Sequence, residues 1–179
     1  MSGTSHARLA TLADLPALVA VMDAAIAELQ RPFLSPEQIA ASRKVMGLDR
    51  QLVVDGTYYL VKVDGVVAGC GGWSFRATLY GGDDSIVARE PQRLDPTRDA
   101  AKIRAMYTDP AFARRGIGRL VLATCEDAAA RAGFKAVELM ATAAGVPLYE
   151  SAGYAAVAEV MQSHVDGVSV PLVLMRKPL

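Results

Sequence analysis

The densest chemistry in the chain lies in one short run: Ala113, Arg114, Arg115, Gly116, Ile117, Gly118 and Arg119. Three arginines and two glycines stand where a strand-like segment gives way to helical periodicity. The first N–H groups of a helix have no internal acceptors, and the helix dipole puts partial positive charge there. Glycines let the backbone come close to an oxygen, and arginines add full charges. The guest that suits such a turn is a phosphate or pyrophosphate. The two common nucleotide motifs do not fit. A P-loop needs Gly, four residues and then Gly-Lys-Ser/Thr, which the sequence lacks. A dinucleotide fingerprint would need Gly or Ala where Val121 stands.

Other reactive residue types offer less. Cys70 and Cys125 lie far apart, both in apolar segments. They read as small buried hydrophobes rather than a redox pair. His6 and His164 have no cysteine or histidine cluster around them, so no metal site is expected.

The elements that must hold the arginine turn can be read from periodicity. A first strand is expected over 6–12. Thr11 and Asp14 then have capping-box spacing. Leu15, Leu18, Val19, Met22, Ile26 and Leu29 follow at helical intervals up to Pro32. Ser35, Pro36 and Gln38 start a second helix that Gly47 closes. Strands at 58–63 and 66–75 flank Asp64-Gly65, a hairpin turn signal. The polar stretch 80–100 reads as a long loop, a kind that is usually functional. A strand at 101–108 ends at Asp109-Pro110. From Gly116 a helix runs to Gly133, placed as a left-handed cap. Val137, Leu139 and Ala141 alternate as a strand. A short helix over 147–152 follows, then strands at 155–165 and 168–176 around Asp166-Gly167. The order predicts an α/β domain of the α+β type, a mixed sheet packed with helices. No repeat or linker divides it, so one domain over 6–179 is expected.

Composition narrows the function classes. Acidic and basic residues balance at 19 each, without the basic footprint of a nucleic-acid binder. Asp14, Asp23 and Glu28 interrupt the apolar N-terminal stretch, so it does not read as a signal peptide. No run approaches the roughly 20 apolar residues of a membrane span. A cytoplasmic protein without nucleic-acid or membrane partners is the expectation.

Two segments carry a family resemblance. Ile103 to Pro110 followed by Phe112-Ala-Arg-Arg-Gly-Ile-Gly-Arg119 resembles the acetyl-CoA motif of GNAT N-acetyltransferases, which runs Gln/Arg, two residues, Gly, one residue, Gly/Ala. Leu148-Tyr149-Glu150-Ser-Ala-Gly-Tyr154 resembles the family's second hallmark. The order of elements also matches, over nearly the whole chain. The resemblance implies a GNAT-like fold: a mixed, mostly antiparallel twisted sheet with helices on both faces. It implies acetyl-CoA as cosubstrate, no metal, and transfer of an acetyl group to a primary amine by direct attack in a ternary complex. The acceptor is expected to be a small-molecule amine. A non-catalytic acyl-CoA sensor and a protein or peptide N-acetyltransferase are the other readings, and a homodimer would be unsurprising for the family.

Residue by residue, the resemblance places the pantetheine arm beside the backbones of Met106 and Thr108, as strand addition. A backbone N–H near Met106 or Tyr107 would polarise the thioester carbonyl. The pyrophosphate falls to Arg114, Arg115, Gly116, Ile117, Gly118 and Arg119, and protonation of the leaving thiolate to Tyr149. Two positions depart from the pattern. Ala113 stands at the Gln/Arg position, and Thr142 stands where many members carry asparagine. The central strand offers Lys102 and Arg104 but no carboxylate, so no base is named. The acceptor cleft is expected between the first helices, the hairpin and the long loop, near Glu28, Trp73, Arg76 and Arg104. By two-residue alternation Lys102, Arg104, Met106 and Thr108 would share one face, which suggests an acceptor bearing an anion near its amine.

Overall fold

Alternating and β-branched residues build eight strands in one sheet in the computed structural model, which describes residues 5–158 and 161–179. The strands are β1 (Ala7–Leu9), β2 (Tyr58–Val63), β3 (Val66–Ser74), β4 (Ala101–Thr108), β5 (Ala136–Thr142), β6 (Ala155–Ala156), β7 (Met161–Val165) and β8 (Val168–Pro178). Their order is β1-β2-β3-β4-β5-β8-β6, with β7 also paired to β8. Every pairing is antiparallel except β4 with β5. The strand expected over 155–165 is two strands, and the part of that expectation at 159–160 lies outside the described residues.

The helices are α1 (Leu15–Glu28), α2 (Pro36–Ser42), α3 (Arg50–Val54), α4 (Ile117–Arg131) and α5 (Val146–Ser151). They cover both faces. Leu18, Val21, Ala25 and Ile26 of α1 pack with Tyr58, Leu60, Cys70 and Tyr107. On the other face Ile117, Val121, Leu122 and Cys125 of α4 pack with Trp73, Ile103 and Leu139. At about 1.5–3 kcal/mol for each large side chain buried, these two layers hold the sheet in place.

Local signals explain the helix limits. Ser35 accepts from the Gln38 N–H at 3.2 Å, and Gln38 Oε1 accepts from the Ser35 N–H at 3.0 Å. At Thr11 the expected capping-box pairing with Asp14 forms. Asp14 accepts from the Thr11 N–H at 2.8 Å, and the threonine hydroxyl also donates to that carboxylate. Arg8 claims it as well, at 2.7 and 2.9 Å, which lowers the Asp14 pKa strongly. Helix α3 was not expected: five residues are too few to show a period. Val19, counted on the apolar face of α1, is 39 % exposed, and Val21 is buried instead.

Two irregularities in β4 shape everything nearby. First, β4 pairs with β5 only at Ala101–Val137 and Lys102–Glu138, after which the strands part. Second, the β3–β4 register shifts between Cys70 and Gly72, and Ala105 takes φ +50°. This is a bulge, with one extra residue on β4. Tyr58 is fully buried and donates its hydroxyl to the Ala105 carbonyl at 2.7 Å, fixing that kink. The bulge breaks strict alternation. Arg104 and Tyr107 face the α1 layer, whereas Ile103 and Met106 face α4. Met106 can do so because Gly71 lies beneath it, where a Cβ would meet the sulfur at 2.1 Å. The expectation that Met106 and Thr108 share a face with Lys102 and Arg104 is therefore corrected.

Candidate active site

The start of α4 is built to leave polar groups free. Gly116 occupies the N-cap at φ +82°, a conformation costly for other residues, and no side chain caps the helix. Arg114 also sits at φ +64°. Arg114, Arg115, Gly116 and Arg119 are exposed, while Ile117 is buried and anchors the turn to the core. No acidic side chain pairs with these arginines among the described residues. Arg115 lies over the Phe112 ring at 5.3 Å. Arg119 donates to Ser151 Oγ at 2.8 Å, tying α4 to the end of α5. Gly118 leaves space bounded by Leu148 and Thr108, 3.1 and 3.4 Å from where a Cβ would stand. Uncapped N–H groups and unpaired cations make a fitting cradle for a pyrophosphate.

This turn follows directly from the open stretch of β4. Beyond Lys102 no strand pairs with β4 on its β5 side among the described residues, so Ile103 to Thr108 present main-chain groups there. Met106, Tyr107 and Thr108 thus lie between the gap and the arginine turn. An extended amide-bearing arm can add to such an edge as a strand would.

The gap leads into a cleft with a cavity of about 80 Å³. Arg104, Ala105, Met106 and Tyr107 form one wall, and Met140, Thr142 and Tyr149 another. Tyr149 is carried by α5, whose Pro147 sits in the first turn. Its ring packs edge-on against Tyr154, with centroids 5.7 Å apart. Burial pushes the Tyr149 phenol pKa well up, so it stays protonated at neutral pH. Tyr107 accepts from the Gly47 N–H at 3.1 Å and donates to the Gly47 carbonyl at 3.2 Å, pinning the segment after α2 across the cleft.

The charged residues of the cleft face are spoken for. Lys102 pairs with Glu138, its register partner on β5, where the two strands last touch. Arg104 is 3 % exposed and pairs with Asp49 at 3.1 Å. It also donates to the carbonyls of Gly81 at 2.8 Å and Thr78 at 3.3 Å. Desolvation lowers its pKa against the opposing pull of Asp49. Asp49 further caps α3 and pairs with Arg89 at 2.8 Å. Arg104 is thus the tie that holds the loop after β3 over the cleft, rather than a free cation.

The other expected acceptor residues lie elsewhere. Trp73 is packed edge-on between Phe75 and Phe134, centroids 6.0 Å away in each case, in the core under α4. Arg76 forks onto Asp55 at 2.7 and 2.8 Å and donates to the Pro91 carbonyl. Glu28 is exposed at the end of α1. None of the three lines the cavity. Both cysteines are free and buried, and burial pushes the Cys70 thiol up to about 12.

Sequence reasoning missed Asp49, Tyr58 and Glu138. Asp49 had a signal: it precedes Arg50-Gln51-Leu52-Val53 and accepts from the Gln51 N–H at 2.9 Å, as an N-cap does. Tyr58 and Glu138 had none, because their roles depend on which strands become neighbours.

The Acetyltransferase (GNAT) family matches residues 22–154, and the chain belongs to that family. It shares the fold of a GCN5-related N-acetyltransferase from Rhodopseudomonas palustris, with a TM-score of 0.71 and 18% identity over 100% of this chain and 98% of that one. PaiA N-acetyltransferase from Thermoplasma acidophilum, solved with coenzyme A, matches with a TM-score of 0.63 and 15% identity over 99% and 100% of the two chains. YncA from Salmonella typhimurium, solved with its cofactor acetyl-CoA, matches with 0.63 and 20% over 99% and 95%. No curated protein sequence matches the chain. Among the described residues no helix is long and apolar enough to cross a membrane.

Proposed function

We propose that the chain is a single acetyl-transfer domain, over 6–179, that moves the acetyl group of acetyl-CoA onto a primary amine of a small molecule. The observation that carries this is the continuity of three features: an uncapped, arginine-bearing α4 start, an open β4 edge and a protonated phenol in the cleft between them. The GNAT relatives solved with coenzyme A and acetyl-CoA support the cosubstrate.

Each residue then has a task. Arg114, Arg115, Arg119 and the N–H groups from Gly116 to Gly118 hold the pyrophosphate, with Ala113 contributing backbone only. The main chain of Met106 and Thr108 holds the pantetheine amides. An N–H at the bulge, from Met106 or Tyr107, polarises the thioester carbonyl. Holding amine and thioester together supplies much of the rate. A neutral amine forms the new N–C bond as the C–S bond breaks. Tyr149 gives its proton to the departing sulfur and regains one from the amine nitrogen, directly or through water.

The test is a pair of measurements on the full chain. Calorimetry should show acetyl-CoA binding, and free-thiol assays across amines, amino acids, polyamines and peptides should show amine-dependent release. Binding without release for any amine would leave a sensor; absence of binding would refute the site.

A further inference from the structure

The acceptor's character can be read from what the cleft wall lacks. Apolar residues are the larger part of its lining, Val45, Met46, Leu79, Met140 and Leu172 among them, with Thr142 and three tyrosines set between. No carboxylate lines the cavity among the described residues. Tyr107 and Tyr149 are no substitute, since burial raises their pKa values and keeps both phenols neutral. An ammonium entering this space would lose its hydration and find no counter-ion.

Cations in the wall sharpen the point. Arg104 is the one basic residue lining the cavity among the described residues, and Asp49 answers it. Asp49 is shared with Arg89, Arg89 with Asp83, and Asp83 with Arg50. Three guanidinium groups and two carboxylates leave this chain of pairs positive by one. A polyamine is repelled. An acceptor carboxylate gains little either, because both terminal nitrogens of Arg104 already donate to Asp49, Thr78 or Gly81. Its Nε–H has no acceptor, but it is shielded within the protein.

We infer that the acceptor is a small apolar molecule, otherwise uncharged, carrying one weakly basic amine that is substantially neutral before it enters the cleft. The inference rests on the acetyl-transfer reading above and narrows it. Its simplest representative is the α-amine of an apolar amino acid whose carboxyl group is amidated. The cavity of about 80 Å³ has the volume of two or three waters, so the acceptor's body is short or the capping segments part to admit it. The chemistry balances without a resident base. The amine arrives with its lone pair free and forms the amide bond as the C–S bond breaks; Tyr149 protonates the leaving thiolate, and the proton shed by the nitrogen restores Tyr149, directly or through water.

Basicity sets the expected preference. An α-amine titrates near 8 and an alkylamine like that of lysine near 10.4, so at pH 7 the neutral fractions differ by a few hundredfold. The experiment compares leucinamide, 3-methylbutylamine, leucine and spermidine by thiol release from acetyl-CoA. At pH 7 kcat/KM for leucinamide should exceed that for 3-methylbutylamine by about a hundredfold or more. Its rise with pH should level near 8, while that of 3-methylbutylamine continues to about 10. Met140→Glu, which adds a carboxylate to the wall, should narrow the ratio tenfold or more in a variant that still binds acetyl-CoA. A tripeptide amide starting with leucine separates the two sources of this amine. Turnover of leucinamide above that of the tripeptide is expected, and turnover of the tripeptide in place of leucinamide overturns the small-molecule acceptor. Preference for spermidine, 3-methylbutylamine or free leucine overturns the acceptor class and leaves the transferase reading intact. Thiol release with no amine at all overturns both.

Discussion

The arginines at the start of α4 and the basic residues of β4 look alike in the sequence, yet the fold treats them in opposite ways. Arg114 and Arg115 remain exposed and without acidic partners among the described residues. Lys102 and Arg104 are buried and each meets a carboxylate, from Glu138 and Asp49. Arg76, at the end of the neighbouring strand, meets Asp55. A surface cation free of partners keeps its charge available for a ligand. A buried cation needs its partner merely to be tolerated, since removing one member of such a pair costs about 3–5 kcal/mol. Charge in a sequence therefore marks a binding site only where the fold withholds the acid.

The largest expected effect lies at Tyr149, which lines the same cavity as Arg104. Tyr149→Phe should lower kcat by about 100- to 10,000-fold while acetyl-CoA affinity holds. Wild-type turnover with chemistry rate-limiting would remove it from the mechanism.

Next in size is the structural cation. Arg104→Met should destabilise the fold by about 3 kcal/mol, near the lower end for a broken buried pair because Arg89 still answers Asp49. Thermal unfolding should show a fall of about 6–12 °C for a chain of this length. A melting point within a degree of wild type would show that Arg104 is not the tie described here.

Arg115→Ala should do the reverse. Acetyl-CoA binding should weaken about five- to tenfold, and less so as salt rises, because an exposed charge is screened. The melting point should stay put. Loss of stability without loss of affinity would erase the distinction between the two regions.

The smallest effect concerns pH. The Arg76 fork lowers the Asp55 pKa, so this group stabilises the fold above its unfolded value near 4 and loses that contribution as pH falls below it. Asp55→Asn should melt about 2–4 °C below wild type at pH 6, the shift that about 1 kcal/mol makes at this size, and the gap should shrink toward pH 3. A gap that persists unchanged at pH 3 would mean that packing, not the charge, carries the Arg76 tie.

Much of the architecture was legible because its causes are local. Ser35-Pro36-Gln38 states a helix start, and Gly133 at φ +97° ends α4 as a left-handed residue should. Asp64-Gly65 and Asp166-Gly167 both turn hairpins, with positive φ at all four residues. The limits of β2 and β4 fall at the residues expected, 58–63 and 101–108. The arginine turn was legible for the same reason: the free N–H groups and the cations lie within seven residues of one another.

What stayed hidden depended on distant residues becoming neighbours. Trp73 and Arg76 looked like cleft residues because they end a strand that borders the cleft, but Phe134 and Asp55 claim them. Glu28 has no such partner and simply faces solvent. The bulge at Ala105 has no mark in the sequence; it exists because Tyr58, 47 positions earlier, holds its carbonyl, and it turns Met106 toward α4. By itself the sequence determined the elements, the arginine-bearing turn and the family to which they belong, since each rests on contacts a few residues long. Only the tertiary structure decided which cations remain free and what the cleft can accept, because counter-charges and cavity walls come from segments that meet only when the chain has folded.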